Sequence, residues 1–358
     1  MNGIRNTIKM LRIGIIGCGR IFKKHFESIK KRNLYELVAI TDIDKSKLND
    51  TLIDNNLTRY IDYKIMVINE NLDIVSILTD SGSHEEIINN LAGKVRNIIV
   101  EKPFTLKSSG AAKVVEKCKN KLTRIFVVHQ NRLNDTVKKL FEYKNQNLFG
   151  KIFLCSVNLY WSRTDEYYIS NSWRGKWVSD GGAISNQGIH YIDIIHKLLG
   201  DPYTISAEGQ TALSNIETED TALINFKYKN GCLVNFQITT AIRPKNIEGS
   251  ISVFSENGSF QIGGEALNQI KNNTIGNNEK SHINYKVDDV YGGGHILFYE
   301  KIYKSIIYDN KSEFEGENFI KQIRLLNAIY LSIENSEKIY FDPNKNYKSR
   351  LGVYESKV

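Results

Sequence analysis

The sequence Ile13-Gly14-Ile15-Ile16-Gly17-Cys18-Gly19-Arg20 is an apolar run that ends in a Gly-x-Gly turn. A strand that delivers a dinucleotide to a helix ends in glycines, because the chain turns sharply there and a pyrophosphate must approach backbone that carries no Cβ. Gly17 and Gly19 take the first two positions of this fingerprint. Arg20 and Ile21 follow where the amides of the next helix would face the phosphates. The stretch predicts a dinucleotide-binding turn; the alternative is an ordinary tight turn.

A carboxylate at the end of the next predicted strand supports this prediction, although the turn departs from the fingerprint at Phe22, where Gly or Ala is usual. Asp42 ends the run Leu37-Val38-Ala39-Ile40-Thr41-Asp42, about 20 residues after the glycines, which is the spacing of a carboxylate that binds the ribose diol. An acid there would repel a 2′-phosphate, and no Arg follows it directly, so NAD is favoured over NADP. The alternative is a solvated loop residue.

A loop at the end of a later predicted strand is expected to add cofactor contacts. Thr79, Ser81 and His84 lie in this loop. Open α/β sheets bind their ligands at the carboxyl ends of the strands, so these side chains are candidates. His84 is equally consistent with a cap on the helix that follows.

The first 150 residues alternate short apolar runs with segments of helical length, which is the pattern of βαβ units and a parallel sheet. Strands are predicted at 11–16, 37–41, 74–79, 97–101 and 125–129, and helices at 22–31, 83–91 and 108–119. The sequence therefore predicts an α/β protein that begins with a Rossmann-type domain, placed at 1–130.

The pattern changes after Gly150. An extended run at 151–161 and a helical stretch at 183–199 are followed by β-rich segments at 204–209, 221–228, 232–240, 250–254 and 259–262. Short turns such as Lys229-Asn230-Gly231 favour a mostly antiparallel open sheet. This predicts an α+β domain at 131–358 for substrate binding and oligomerisation. Two C-terminal helices, near 296–308 and 319–334, are expected to pack back on the core, and Asn272–Asn278 is predicted to be a loop.

Composition limits the classes of function. The chain has 358 residues, 41% of them hydrophobic, and a formal net charge of +8. The basic residues alternate with acids and form no block interleaved with aromatics, which argues against nucleic acid as a partner and leaves an anionic small molecule. Four scattered cysteines predict neither a zinc site nor disulfides, and no metal is expected. No run has the ~18 apolar residues of a membrane span, so a cytoplasmic protein is expected.

Three motifs together resemble the glucose-fructose oxidoreductase, inositol dehydrogenase and rhizopine-catabolism (Gfo/Idh/MocA) superfamily. They are the Gly-Cys-Gly-Arg-Ile turn, Glu101-Lys102-Pro103, and a later stretch from Gly181 to Asp193 that reads Gly-Gly-Ala-Ile-Ser-Asn-Gln-Gly-Ile-His-Tyr-Ile-Asp. The resemblance covers nearly the whole chain and implies an NAD-dependent dehydrogenase. It also implies that a cis bond precedes Pro103.

The resemblance assigns roles to residues of these motifs. Lys102 would contact the reacting hydroxyl near the nicotinamide, where a fixed ammonium stabilises the charge that builds on an alcohol oxygen as its proton leaves. His190 would accept that proton. Glu101 and Gln130 would join the cofactor contacts. Many relatives carry Asp four residues before the His, and this chain has Asn186, which takes that catalytic position but cannot act as a general base.

Four further stretches resemble the bacterial UDP-N-acetylglucosaminuronate 3-dehydrogenases. They are Trp173-Arg174-Gly175-Lys176-Trp177, the Asn186-Gln187-Gly188-Ile189-His190 segment, His129-Gln130-Asn131-Arg132, and the segment from Arg243 to Ser250. The resemblance implies oxidation of the sugar C3 hydroxyl to a ketone, for surface polysaccharide. The predicted substrate contacts are Lys102, Arg132, Arg163, Tyr168, Trp173, Arg174, Asn186, Gln187, His190, Arg243, Lys245 and His295.

Two other readings stay open. The fold is equally compatible with a dehydrogenase of another nucleotide sugar, a polyol or inositol. A dinucleotide-bound sugar sensor or regulator is the non-enzymatic alternative, and Asn186 favours it. The exposed face of the second sheet is the expected association surface, and the resemblance implies a homodimer or homotetramer.

Overall fold

The computed structural model of the protein describes residues 9–49, 57–277, 283–286 and 292–354. The first unit is a six-stranded sheet flanked by helices. Its strands are β1 Leu11–Ile16, β2 Tyr35–Thr41, β3 Thr58–Tyr60, β4 Ile74–Ile77, β5 Asn97–Val100 and β6 Arg124–Val127, and its helices are α1 Phe22–Lys30, α2 Tyr63–Asn69, α3 His84–Leu91 and α4 Ser108–Asn120.

All neighbouring strands of the first sheet are parallel, in the order β3-β2-β1-β4-β5-β6. Strands β4 and β5 are buried at every position, as expected when helices cover both faces of a parallel sheet. The strand order reverses between β1 and β4. A crevice at the carboxyl ends of these two strands is where such sheets bind ligands.

The second unit is an eight-stranded sheet with helices on one face. The elements that follow β6 in chain order are α5 Asp135–Asn145, β7 Ile152–Tyr160, α6 Asp165–Ile169, α7 Ile189–Leu199, β8 Thr204–Gln210, β9 Thr221–Lys227, β10 Leu233–Thr239, β11 Glu248–Ser255, β12 Gly258–Gly263, β13 Gln269–Asn273, α8 Gly294–Ile307, α9 Ile320–Asn335 and β14 Ile339–Tyr340. The strand order is β13-β12-β11-β7-β10-β9-β8-β14, and every pair is antiparallel except β7 with β10.

Each unit has its own hydrophobic core. The core of the second unit joins α7 and α9 to the inner face of the sheet. Helix α8 belongs to the other core, where Phe298, Tyr299 and Ile302 pack with residues of α1 and β1. Tyr35 Oη donates to Tyr299 O at 2.7 Å. The C-terminal part of the chain therefore returns to the Rossmann unit and holds the two units together.

The predicted α/β class, with a parallel sheet followed by a mostly antiparallel one, is confirmed. β3 and α2, which are short elements at the edge of the first sheet, were not predicted, and neither were α5, α6, β13 and β14. The predicted loop Asn272–Asn278 is wrong in part: β13 runs to Asn273 and a short 3₁₀ turn covers Ile275–Asn277, while Asn278 lies outside the described residues. Asn273 Nδ2 donates to Tyr143 Oη at 3.0 Å, a contact that composition does not reveal. None of the described helices is long and apolar enough to cross a membrane.

Candidate active site

The glycine turn follows β1 at the point where the strand order reverses. Gly17 has a φ of +98°, and a Cβ on it would lie 2.9 Å from the carbonyl carbon and oxygen of Leu78. Gly17 N donates to Thr41 O at 2.8 Å. A Cβ on Gly19 would meet nothing within 4 Å, so the backbone there is open to an incoming group. The turn fits the close approach that a pyrophosphate needs.

Asp42 lies beside this turn, directly after β2. Its Oδ2 accepts a hydrogen bond from Cys18 N at 2.8 Å, and its Oδ1 accepts one from Asp44 N at 2.9 Å. The carboxylate is thereby fixed next to the glycines, where the ribose contact was predicted. Ile21 caps the start of α1 and is partly exposed.

The loop after β4 carries the other predicted cofactor contacts. Thr79 Oγ1 accepts a hydrogen bond from Ser83 Oγ at 2.7 Å, and Ser81 is buried in the 3₁₀ turn that follows. His84 is buried, with Nδ1 2.9 Å from Pro103 O and Nε2 3.2 Å from Thr79 O. Burial lowers the pKa of His84. Because both ring nitrogens face backbone carbonyls, His84 ties two loops together and would influence a cofactor only indirectly.

The Glu-Lys-Pro segment follows β5, and the peptide bond between Lys102 and Pro103 is cis, as expected. Glu101 Oε1 lies 2.9 Å from His25 Nε2, and Glu101 Oε2 accepts a hydrogen bond from Lys102 N at 3.2 Å. Burial alone would raise the pKa of Glu101, but the hydrogen bond and charge of His25 and the charge of Lys102 lower it to about 2. Glu101 is therefore an anion near neutral pH, and its carboxylate contacts the backbone of Lys102.

A second histidine lies on the other side of Glu101. His295, at the start of α8, has its Nε2 4.0 Å from Glu101 Oε1 and its ring 5.0 Å from that of His25. Burial lowers the pKa of His295 to about 3. One ring nitrogen of each histidine and one carboxylate oxygen of Glu101 all lie within 4.8 Å of one another. His25 Nδ1 lies 2.8 Å from Tyr299 Oη, so this polar cluster also connects α1, the helix that follows the glycine turn, to α8.

His295 ends the glycine-rich segment 291–295, whose first residue lies outside the described residues. The side chain of His295 is 1% exposed. Gly294 opens α8, and a Cβ on it would lie 2.3 Å from Gln130 O. The described part of this segment is therefore the close-packed start of a helix. The His295 side chain is buried next to Glu101.

A π turn at Ile184–Gly188 leads directly into α7. Ser185 N donates to Tyr330 Oη at 3.2 Å, and Ile184 N donates to Glu219 Oε1 at 2.9 Å. Tyr330 Oη in turn donates to Glu219 Oε1 at 3.0 Å. Turns of this kind occur often at functional sites, and here the turn is held by side chains from the segment just before β9 and from α9.

Lys102 reaches this turn from the first unit. Its Nζ lies 2.8 Å from Asn186 O and 3.5 Å from Asn186 Oδ1. Asn186 Nδ2 donates to Asp180 Oδ1 at 2.6 Å. Burial lowers the pKa of Lys102, while the charges of Glu101 and Asp180 raise it. Burial raises the pKa of Asp180 to about 7, against the hydrogen bonds from Gly175 and Asn186.

His190 lies one helical turn after Asn186 and is 8% exposed. Burial, and then the charges of Lys102 and His129, hold its pKa well below the usual value. His190 Nδ1 has no hydrogen-bond partner among the described residues. The imidazole is neutral near pH 7 and is able to accept a proton.

Arg132 is held by another residue of α7. Its Nε donates to Asp193 Oδ2 at 2.7 Å and its Nη2 to Asp193 Oδ1 at 2.6 Å, while Nη1 donates to Glu313 O at 3.1 Å. The guanidinium also lies 4.6 Å from the ring of Phe319. The guanidinium group of Arg132, which was predicted to bind substrate, is already paired with the Asp193 carboxylate. The geometry therefore favours a structural role for Arg132.

Three other arginines surround Tyr167 between the two units. Their guanidinium carbons lie 5.5 Å (Arg20), 5.2 Å (Arg163) and 4.0 Å (Arg174) from the centre of its ring. Arg174 also lies 5.3 Å from the ring of Trp173. We call these five residues the arginine cluster. It joins the glycine turn to the second unit and concentrates positive charge.

The remaining predicted contacts are spread along the same side of the second unit. Tyr168 Oη lies 3.0 Å from Thr240 Oγ1, and Gln187 Nε2 donates to Tyr167 Oη at 3.3 Å. Gln130 is buried, and its Oε1 has no partner within the described ranges. Arg243 and Lys245 are exposed on the loop after β10, at the rim.

Sequence analysis missed three residues that organise this site: Asp180, Glu219 and Tyr330. Asp180 directly precedes Gly181, so its position beside a glycine motif was an available signal. Glu219 and Tyr330 lie 35 and 145 positions after the turn residues that they hold, and nothing local marks them.

Two family domains match the chain. The description "Oxidoreductase family, NAD-binding Rossmann fold" matches residues 11–129, and "Oxidoreductase family, C-terminal alpha/beta domain" matches residues 145–341. Together they cover both units of the fold.

A solved structure and two curated proteins are similar to the chain. The WlbA dehydrogenase from Bordetella pertussis, crystallised with NADH and UDP-GlcNAcA, has a TM-score of 0.88 at 31% identity, covering 93% of this chain and 98% of that one. The rhizopine catabolism protein MocA of Rhizobium meliloti is 27% identical over 54% of this chain and 58% of its own. Myo-inositol 2-dehydrogenase of Thermotoga maritima is 24% identical over 62% of this chain and 66% of its own. The chain thus spans about three fifths of the length of these curated relatives.

Proposed function

The chain belongs to the Gfo/Idh/MocA oxidoreductase family and binds NAD through its Rossmann domain, and from this premise we propose that it oxidises the C3 hydroxyl of a UDP-N-acetylated sugar, UDP-N-acetylglucosaminuronic acid. The observation that carries the proposal is the contact of Lys102 Nζ with Asn186 O at 2.8 Å. Asn186 lies one helical turn before His190. This contact puts an ammonium and a neutral imidazole from different units in one cleft.

The two groups are suited to alcohol oxidation. Lys102 would polarise the hydroxyl and stabilise the negative charge that develops on its oxygen. His190 would take the hydroxyl proton on its ring, since its lowered pKa keeps it neutral. Gly17, Gly19 and Asp42 would hold NAD, whose nicotinamide accepts a hydride when bound.

The arginine cluster supports an anionic nucleotide sugar as the substrate. Arg163 Nε and Arg174 Nε are buried and have no hydrogen-bond partner among the described residues. A diphosphate or carboxylate accepts hydrogen bonds from guanidinium groups in a matching geometry. The likeness to a structure that holds UDP-GlcNAcA supports the same substrate class. The 3-keto product would then be aminated in surface-polysaccharide synthesis.

The test follows absorbance of reduced nicotinamide with NAD and UDP-GlcNAcA, UDP-GlcNAc or free myo-inositol. We expect turnover with the first. His190→Ala and Lys102→Ala should each lower kcat by about 100-fold or more while NAD affinity is retained. The matched control is His196→Ala, on the same helix, whose Nε2 contacts Asp201 at 2.8 Å. Unchanged turnover in both active-site variants would refute the assignment.

Inositol is the second candidate substrate, because a curated relative is a myo-inositol 2-dehydrogenase. Turnover with inositol and none with either UDP-sugar would replace the first proposal by this one. If NAD and UDP-GlcNAcA both bind but no reduced nicotinamide forms in a single turnover, the chain is a sugar sensor.

We also propose that the open face of the second sheet joins two copies of the chain. Leu154 on β7 pairs with Leu233 on β10 and with Phe254 on β11, so the three side chains lie in one row. They are 37%, 49% and 36% exposed. Leu154→Asp should convert a dimer or tetramer to smaller species in analytical ultracentrifugation. A wild-type monomer at micromolar concentration would refute this.

The buried thiols of all four cysteines suit a reducing, cytoplasmic compartment.

A further inference from the structure

We propose that Asp180 is the positioning residue of this site: through the side-chain amide of Asn186, it holds the Lys102 ammonium in the cleft. The inference rests on the dehydrogenase function proposed above. Asp180 is 3% exposed and comes just before the glycines that lead into the π turn.

The bridge has a defined polarity. An ammonium has only donors and a carboxylate only acceptors, whereas a side-chain amide has one of each. Asn186 Oδ1 faces Lys102 Nζ at 3.5 Å, and Asn186 Nδ2 donates to Asp180 Oδ1 at 2.6 Å. The amide dipole is therefore aligned between opposite charges. The second oxygen of Asp180 accepts a hydrogen bond from Gly175 N at 2.9 Å, which fixes the carboxylate.

This arrangement offers a physical account of Asn186. The side chain at this position is an amide, and the buried carboxylate that it contacts is that of Asp180. The amide cannot take a proton, so it transmits charge and orientation but not acid-base function. Asp180 touches Asn186 rather than the reacting atoms.

Other charged groups also act on Lys102. Glu101 raises the pKa of Lys102 more than Asp180 does, and its Oε1 is shared with His25. His190 and His129 face the ammonium from α7 and from the segment after β6, and Lys102 lowers the pKa of each. His295 on α8 is affected in the same way.

Asp180 has its own neighbours. Lys102 and Arg174 lower its pKa and favour the charged form, while burial raises it to about 7. Asp180 in turn raises the pKa of Glu219 and of Tyr168. A carboxyl with a raised pKa is charged only above that pKa, so its support of Lys102 appears as the pH rises through about 7. Glu101, by contrast, stays charged throughout this range.

The decisive experiment measures Lys102 without any substrate. The full chain is acylated with acetic anhydride over a range of pH, and the rate at Lys102 is read by mass spectrometry of its peptide. The exposed Lys107, five residues along, is the internal reference. Asp180→Asn keeps the size and the acceptor for Gly175 but removes the charge. We expect acylation of Lys102 near pH 8 to be at least about threefold faster in this variant, because loss of the Asp180 charge lowers the pKa of Lys102 and increases the fraction of neutral amine.

A rescue separates charge from structure. The double variant Asp180→Asn with Asn186→Asp restores a carboxylate next to Lys102, and it should return the acylation rate to the wild-type value. If Asp180→Asn does not fold, Asn186→Ala breaks the bridge instead and should speed acylation in the same direction. An unchanged rate in either folded variant, or a failure of the double variant to restore it, overturns the proposal.

Activity then distinguishes this proposal from the proposed function. In wild type we expect kcat/KM to increase as the pH is raised through about 7. This pH-dependent increase should be absent in Asp180→Asn. A shifted acylation rate with no turnover on any sugar would refute the dehydrogenase assignment and leave the role of Asp180 intact. Turnover with an unchanged acylation rate would refute the role of Asp180 and leave the dehydrogenase assignment intact.

Discussion

The buried carboxyl of Glu219 gives a stability prediction that does not depend on any substrate. Glu219 Oε1 accepts hydrogen bonds from Ile184 N and Tyr330 Oη, whereas Oε2 has no partner in the described part of the chain. Burial raises its pKa from 4.5 to about 7, and the charge of Asp180 adds to this increase. The change to test is Glu219→Gln, which keeps the Oε1 acceptor and cannot ionise.

The magnitude follows from the pKa. For an acid whose pKa is raised in the folded state, the stabilising contribution is complete below the unfolded pKa and is lost as the pH rises through the folded one. A rise from 4.5 to about 7 therefore corresponds to about 3 kcal/mol of stability lost by wild type between roughly pH 4.5 and pH 8. Glu219→Gln should not lose this contribution.

The assay is thermal unfolding of both proteins near pH 5 and near pH 8.5, with no cofactor added, since a ligand would add its own stabilisation. The amide has the same unpartnered position as the protonated acid, so the two should be similar at the lower pH. At the higher pH the variant should melt about 6 °C above wild type, at ~2 °C per kcal/mol. Parallel pH dependences would refute the conclusion that burial raises the pKa of Glu219 in the folded protein.

Three further substitutions test the residues that shape the site. Gly17→Ala should weaken NAD binding by about tenfold or more in calorimetry, because a Cβ at φ +98° would lie 2.9 Å from the Leu78 backbone, while Gly19→Ala, with no atom within 4 Å, should fold normally. Asp193→Asn should cost about 3–5 kcal/mol of unfolding free energy in denaturant titration, because the buried charge of Arg132 loses its partner. A loss below about 1 kcal/mol would show that Arg132 is free to bind substrate instead.

Local pattern predicted most of the elements, and the reason is physical. The apolar runs of β1, β4 and β5 are continuous because both faces of a parallel sheet are covered, and the period of α7 is visible because one of its faces packs on the second sheet. The three-residue strand β3 and the helix α2 beside it lie at an edge. There the burial is partial and the hydrophobic signal is weak.

The site was predictable only where a motif carried it. Lys102, Asn186 and His190 each stand in a short stretch with a recognisable order, and the structure brings all three to one cleft. Arg132 was expected to face substrate because guanidinium groups suit anions. Its partner Asp193 lies 61 positions away, and sequence spacing gives no information about such a pair.

The two missed carboxyls explain why this cleft should have separate pH limits for activity and for stability. Burial raises the pKa of Asp180 and of Glu219 to about 7 alike. Ionised Asp180 faces Lys102 and Arg174, which offset part of the cost of burying its charge. Ionised Glu219 has no cation among the groups that set its pKa, so its charge gains no such offset. Both carboxyls have raised pKa values in the folded protein, so ionisation of either one costs stability as the pH rises. Only the Asp180 charge supports Lys102, and Glu219→Gln should therefore remove the Glu219 part of the stability loss while it leaves the charge beside Lys102 unchanged.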